Sequence, residues 1–241
     1  MSVILEIDIG NTFLKWRLRD SAKGCLGRGR VLTREALGAL IPDWRTEVDA
    51  VWVCSVAAEE VSRGLAGLLR ENGLPEPRFA RTEAAAAGVI NSYDNPSAMG
   101  IDRWLAMLAA RQWTQRACCV VDCGSAITID YLAANGQHLG GYILPGMRLL
   151  QQALLGNTAR VFVDRPVDRF DPSPGCNTSD AVTHGADFIF DAIQLRLKQG
   201  LEPEMDLYVT GGDGELFWRL LGRGEWRPDL VLDGLQVALE G

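Results

Sequence analysis

Leu5-Glu6-Ile7-Asp8-Ile9-Gly10-Asn11-Thr12 and Cys119-Val120-Val121-Asp122-Cys123-Gly124-Ser125-Ala126 lie 114 residues apart and share one pattern. Each is an apolar run, then Asp-x-Gly, then a small polar residue. A second apolar run follows each copy, Phe13 to Arg19 in the first and Ile127 to Leu132 in the second. Apolar runs joined by a tight glycine turn read as a β-hairpin. In both copies a third strand follows, Cys25 to Leu32 and His138 to Ile143. A helix comes next: a short one from Thr33 in the first copy, and one opened by Pro145-Gly146 and running through Leu155 in the second. The parallel order of elements says more than the match of letters. It predicts an internal duplication and an α/β chain of two similar halves, 1–115 and 116–241.

Working outward, Asp49 to Val56 reads as a buried strand and Glu59 to Glu71 as an amphipathic helix with Val61, Leu65, Leu68 and Leu69 on one face. Pro75 to Asn95 is irregular, and its four alanines, 84–87, suggest a helical turn of small residues or a packing contact. From Ser97 the pattern turns helical, with Trp104, Leu105, Leu108 and Ala109 as a core stripe ending near Trp113. Ala117 to Asp122 reads as a strand buried on both faces. A proline-rich loop spans Asp164 to Gly175, and a helix runs from Ser179 to Lys198 with Ala186, Ile189, Phe190, Ile193 and Leu197 inward. Leu207 to Thr210 is a short strand that meets Gly211-Gly212-Asp213-Gly214 before a helix from Glu215. The tail, Asp229 to Leu239, reads as a strand with a closing turn or helix.

Composition narrows the function classes. With 241 residues, 47% hydrophobic and 23% charged, the chain has the makeup of a globular protein with a sizeable core. A net charge of −7 argues against nucleic acid as a partner, since such binding rests on positive charge. No run approaches the roughly 20 apolar residues of a membrane span, and the N-terminus lacks the basic start of a signal peptide. A cytoplasmic protein without a membrane partner is expected. The six cysteines form no C-x-x-C pair and read as reduced thiols. There are only three lysines, Lys15, Lys23 and Lys198, against twenty-one arginines.

The hairpin itself suggests chemistry. Gly10 lets backbone N–H groups approach a ligand, and Asn11 and Thr12 add short donors. N–H groups converging on one concavity suit phosphate oxygens. Asp8 would meet phosphate through Mg²⁺ or ordered water, because direct contact is repulsive. Lys15 is the one lysine near this turn. Neither a Walker pattern nor a strand followed by G-x-G-x-x-G occurs. Asp102, at the start of the helix that ends near Trp113, could accept a hydroxyl proton in a phosphoryl transfer, or simply favour the helix N-terminus.

Two Asp-x-Gly hairpins from duplicated halves resemble the acetate kinase, sugar kinase, Hsp70 and actin superfamily, with its ribonuclease-H-like halves. That resemblance implies an ATP cleft between the halves and backbone approach to adenosine at Gly211-Gly212-Asp213-Gly214. The ordered set Asp8-x-Gly-Asn-Thr-x-x-Lys15, Gly100-x-Asp102-Arg103, Asp122-x-Gly-Ser-x-x-Thr128-x-Asp130, Gly140-Gly141-x-x-x-Pro145-Gly146, Asn177-Thr178 and Thr210-Gly211-Gly212 resembles the type III pantothenate kinases over essentially the whole chain. It implies ATP-dependent phosphorylation of pantothenate on its 4′-hydroxyl, the first step of coenzyme A synthesis. The enzyme would be a homodimer requiring Mg²⁺ and a monovalent cation, K⁺ or NH₄⁺.

Position by position, the resemblance implies that Asp8, Ile9, Gly10, Asn11, Thr12, Phe13, Leu14 and Lys15 hold the ATP phosphates, with Asp8 also facing Mg²⁺. It implies that Asp102 is the catalytic base. Tyr93, Gly100, Ile101, Asp102 and Arg103 would line the pantothenate pocket, completed by Thr178 from the partner subunit. Asp122 would ligate the monovalent cation, with Ser125 beside ATP where threonine is usual in the family. Arg103 could pair bidentately with the pantothenate carboxylate. Two alternatives share this sequence pattern: a transcription accessory factor of the same family, and a kinase for another small hydroxyl compound. His138 and His184 stand alone and read as structural, Trp104 and Trp113 as core or dimer contacts, and the Arg160 to Arg169 tract as a solvated loop.

Overall fold

The computed structural model describes residues 2–35, 48–157 and 169–240. Its first sheet is built from β1 (Val3–Ile9), β2 (Phe13–Asp20), β3 (Gly24–Leu32), β4 (Ala50–Ser55) and β5 (Pro77–Phe79), in the order β3-β2-β1-β4-β5. Thr33–Glu35 forms a 3₁₀ turn, and the rest of the helix expected from Thr33 lies outside the described residues. Helix α1 (Glu59–Glu71) lays Leu65 and Leu69 on one face of this sheet, against Leu5, Ile7, Ile9, Leu14, Leu18, Val51 and Val53.

The stretch 75–95 is less irregular than expected. Beyond β5 it holds a tight hairpin of β6 (Ala85–Ala86) and β7 (Val89–Ile90). The helical turn expected at Ala84–Ala87 is therefore corrected. Ala87 and Gly88 both take left-handed conformations, φ 48° and 81°, the two-residue connection of a hairpin whose twist matches its strands. Alanine favours a helix, so tertiary contacts override propensity here. A 3₁₀ turn at Pro96–Ala98 leads into α2 (Ile101–Trp113).

The second sheet repeats the first. Strands β8 (Cys118–Cys123), β9 (Ala126–Leu132), β10 (His138–Pro145), β11 (Asp206–Thr210) and β12 (Glu225–Trp226) run in the order β10-β9-β8-β11-β12. In each sheet the Asp-x-Gly strand is antiparallel to its hairpin partner and parallel to its other neighbour. The turns differ by one residue: Ile9 faces Leu14 across the first, Cys123 faces Ile127 across the second. The offset of 114 therefore fails beyond the turns, and the structural counterpart of Lys15 is Thr128. Helices α3 (Met147–Asn157), α4 (Thr178–Gly200) and α5 (Gly214–Leu221) follow in chain order. Phe190 and Leu197 of α4 and Phe217 and Leu221 of α5 pack on Val121, Ile129, Leu207 and Val209. Most of the Arg160 to Arg169 tract lies outside the described residues.

By packing, the described chain forms two units: Met1–Gln115 with Asn135–His138 and Asp229–Gly241, and Arg116–Ala134 with Leu139–Pro228. The expected 116–241 half thus loses Asn135–His138 and its last segment to the first unit. That segment is α6 (Leu230–Leu239), not a strand. Leu230, Val231, Leu232 and Leu235 are buried, and Gly234 lies flat on α2: a Cβ there would sit 2.1 Å from the Leu105 carbonyl oxygen. An apolar run of this length fits a strand or a buried helix by period alone, and contact with α2 decides.

The polar face of the first sheet is neutralised against α6. Glu6 is 0% exposed and accepts from Arg17 Nε at 2.5 Å and Arg19 Nε at 3.0 Å. Arg17 donates on to Asp233 at 2.6 Å, Arg19 to Glu240 at 2.8 Å and Arg28 to Asp229 at 2.9 Å. A buried carboxylate is tolerated because it is paired and hydrogen-bonded.

Candidate functional site

Strand register brings the chemistry of the first unit together. Asp8 lies directly opposite Lys15 on β2 and Cys54 on β4, and Lys15 lies opposite Arg30 on β3. Residues opposite each other share a face, so one row runs Arg30, Lys15, Asp8, Cys54 across four strands. The Arg30 guanidinium sits 4.3 Å from the Phe13 ring centre. Burial pushes the Asp8 carboxyl from 3.8 up to about 6; the Lys15 charge opposes this, the Asp102 charge adds to it, and a hydrogen bond from the Cys54 thiol opposes it. Two carboxylates, from the end of β1 and the start of α2, thus lie within electrostatic reach of each other.

The turn at residues 10–13 is closed by its own backbone, Gly10 N–H donating to the Phe13 carbonyl at 3.0 Å. It is braced by Thr33, whose hydroxyl donates to the Gly10 carbonyl at 2.8 Å and whose N–H donates to the Thr12 carbonyl at 2.9 Å. Asn11 is exposed, and Thr12, Phe13 and Lys15 are half-buried. The side chains of Ile9 and Leu14 are committed to the core, so among the expected phosphate-binding residues these two offer only backbone groups. The same holds for the buried Ile101.

At the start of α2 the N-cap is Gly100, and Asp102 is the acidic residue of the first turn. Its carboxylate accepts from the first-turn Arg103 N–H at 2.8 Å and lies over Gly100, so it supports the helix N-terminus. A Cβ on Gly100 would lie 2.6 Å from Asp102 Oδ1, so a side chain there would displace this carboxylate. Arg103 is 5% exposed; it donates to the Tyr93 hydroxyl at 2.8 Å, and its guanidinium lies 5.7 Å from the Tyr93 ring centre. The Tyr93 backbone is held by an N–H bond to the Asn91 side chain at 3.0 Å.

The second unit repeats the row with different chemistry. Asp122 lies opposite Thr128 and Thr210. Gly211, at φ 95°, rests on it so closely that a Cβ would be 2.4 Å from Asp122 Oδ1. Ser125 is exposed, and its carbonyl accepts from Gly146 N–H at 3.0 Å, tying the Pro145-Gly146 turn to the hairpin. Thr178 is exposed at the first position of α4, after the N-cap Asn177, whose side chain accepts from Asp180 N–H at 2.9 Å.

Among the described residues no three His, Cys, Asp or Glu side chains gather as a metal cage. Mg²⁺, a hard cation which keeps most of its waters, needs no such cage and takes one or two carboxylates plus phosphate oxygens. Asp8 beside Asp102 supplies such a pair, and their mutual repulsion is what a cation would relieve. Sequence reasoning missed Cys54 and Arg30 because a cysteine in an apolar strand reads as core and an arginine on an edge strand as surface. Only register shows them in line with Asp8.

Comparison with known proteins gives the family. A sequence model of the type III pantothenate kinase family matches residues 4–193. A type III pantothenate kinase of Chromohalobacter salexigens is 41% identical over 98% of this chain and 86% of its own length, and one of Marinobacter nauticus is 36% identical over 97% of each. Among solved structures, a conserved Campylobacter jejuni protein assigned provisionally to the Baf family of transcriptional activators superposes with a TM-score of 0.61. It is 24% identical, covering 98% of this chain and 97% of that one, a likeness of fold. With the duplicated sheet order and the Asp8, Asp102 and Lys15 cluster, these matches show that the chain belongs to the type III pantothenate kinase family.

Proposed function

We propose that this chain catalyses ATP-dependent phosphorylation of pantothenate to 4′-phosphopantothenate, the entry step of coenzyme A biosynthesis. The observation that carries the reading is the Asp8, Lys15 and Asp102 cluster, in a chain that matches pantothenate kinases along its length. Asp102 takes the proton of the acceptor hydroxyl as its oxygen bonds to the γ-phosphorus and the bond to ADP breaks. In a loose transition state this needs placement more than a strong base. Arg103, held by Tyr93, receives the pantothenate carboxylate, and Asp102 one residue earlier meets the hydroxyl end. Lys15 and the tip of the turn at residues 11–12 hold the phosphates, with Arg30 across from Lys15 adding a second cation. Both substrates are anions and the chain carries −7, so this positive charge is local. Mg²⁺, when bound at Asp8, neutralises charge on the transferring phosphoryl group.

The finer parts of the reading have their own support. Asp122 between two threonines offers hard oxygen donors of the kind a monovalent cation takes, with Ser125 on the same hairpin beside ATP. Exposed Leu139, Tyr142, Ile143, Phe188, Ile189 and Leu195 on the second unit suit a homodimer that brings Thr178 to the partner's pocket. No helix among the described residues is long and apolar enough to cross a membrane, and we assign the chain to the cytoplasm.

The test is an ADP-release assay with ATP, Mg²⁺ and pantothenate, with and without K⁺ or NH₄⁺, and product identification by mass spectrometry. Turnover that needs pantothenate and rises with the monovalent cation is expected. Asp102→Asn is expected to lower kcat by about 10²- to 10⁴-fold with the fold retained. Full activity in that variant, or turnover of another hydroxyl compound in preference to pantothenate, would refute the assignment.

A further inference from the structure

His138 stands alone in the sequence, yet its imidazole, 1% exposed, ends a chain of contacts that leads to Arg103. Residues 136–138 run alongside residues 90–92. Ile90 N–H donates to the Gly136 carbonyl at 2.9 Å, Ile90 pairs in parallel with Gln137, and the Gln137 side chain donates back to the Ile90 carbonyl at 3.4 Å. The close approach requires Gly136, where a Cβ would lie 1.8 Å from the Gly88 carbonyl oxygen. One step on, Ser92 Oγ meets His138 Nδ1 at 2.8 Å, and the His138 and Tyr93 rings lie 6.3 Å apart, tilted by 30°. Tyr93 then accepts from Arg103 at 2.8 Å. A hydrogen bond to a buried ring fixes that ring's plane, and a ring so fixed limits the rotamers of the aromatic packed on it.

We propose that His138 and Ser92 are positioning residues of the acceptor pocket: they hold the plane of Tyr93, and Tyr93 holds the Arg103 guanidinium ready for the substrate carboxylate. The inference rests on the reading of Tyr93 and Arg103 as the pantothenate pocket. An arginine ordered before binding loses less freedom on binding, so the contribution appears as affinity for the acceptor and not for ATP.

The experiment compares wild type, Ser92→Ala, His138→Phe and His138→Asn by steady-state kinetics and by calorimetric binding of pantothenate without ATP. Asparagine keeps a hydrogen-bonding atom near the position of Nδ1. Ser92→Ala and His138→Phe are expected to raise KM and Kd for pantothenate about tenfold, the factor of one lost hydrogen bond, with KM for ATP unchanged. His138→Asn is expected to recover most of that loss. Unchanged pantothenate KM in variants of an active wild type overturns this inference alone, as does a rise shared equally by ATP. A wild type inert toward pantothenate overturns the substrate reading and this inference with it. If His138→Phe fails to fold, Ser92→Ala, at an exposed residue, decides by the same criterion.

Discussion

Replacing Asp8 by Asn is expected to stabilise the folded chain at neutral pH while abolishing its kinase activity. Burial, with Asp102 nearby, raises the Asp8 carboxyl from 3.8 to about 6 against the opposing pull of Lys15 and the Cys54 thiol. Between those values the folded chain keeps a proton that the unfolded chain has released. The folded state then binds more protons, so stability falls as pH rises through this window and is fully present only below it. At 1.36 kcal/mol per pH unit, the loss amounts to about 3 kcal/mol. Asparagine has the same shape and no charge to lose. Asp8→Asn is therefore expected to match wild type near about pH 4 and to exceed it by about 3 kcal/mol at about pH 7.

The measurement is urea denaturation of the apo protein across that range, followed by tryptophan fluorescence, since Trp16, Trp52 and Trp104 all lie in the first unit. Mg²⁺ is expected to narrow the gap by stabilising wild type alone, because only the carboxylate binds it. A variant less stable than wild type at neutral pH, or a gap that does not grow between about pH 4 and about pH 6, would refute the electrostatic reasoning.

Glu6→Gln leaves Arg17 and Arg19 facing a neutral group behind α6, and breaking such a buried cluster is expected to cost about 3–5 kcal/mol, visible as a lower urea midpoint. Lys15→Met is expected to raise KM for ATP at least tenfold more than KM for pantothenate, because Lys15 lies opposite Asp8 beside the phosphate turn. Gly211→Ala puts a methyl 2.4 Å from an Asp122 oxygen at a φ of 95°; it should lower thermal stability and, if Asp122 holds the monovalent cation, blunt activation by K⁺ in the same assay. Wild-type K⁺ activation in a folded Gly211→Ala protein would count against that role for Asp122.

Much of the fold was legible because its signals are local. The Asp-x-Gly turns, the period of α1 and α2, and the Asn177 cap of α4 each depend on neighbours within a turn or two of chain. The elements misread are those whose state is set by distant partners. Ala87 is left-handed in a segment held against Gly136, and α6 is a helix because Gly234 fits the α2 backbone. β12 has two residues, too few to show any period.

The same division runs through the site. By itself the sequence determined the duplicated hairpins, Asp8 and Asp102 as separate candidates, Lys15 as the lysine near the turn, and the order of motifs that marks the family. Only the tertiary structure decided that Lys15, Cys54 and Arg30 stand in one row with Asp8, that Asp102 comes within electrostatic reach of Asp8, and that its carboxylate lies over Gly100. It also decided that His138, a lone histidine in the chain, sits behind Tyr93 and Arg103. The reason is physical: a motif specifies which groups a turn can offer, whereas strand register and long-range packing specify which groups face one another, and a one-residue difference in a turn changes that pairing.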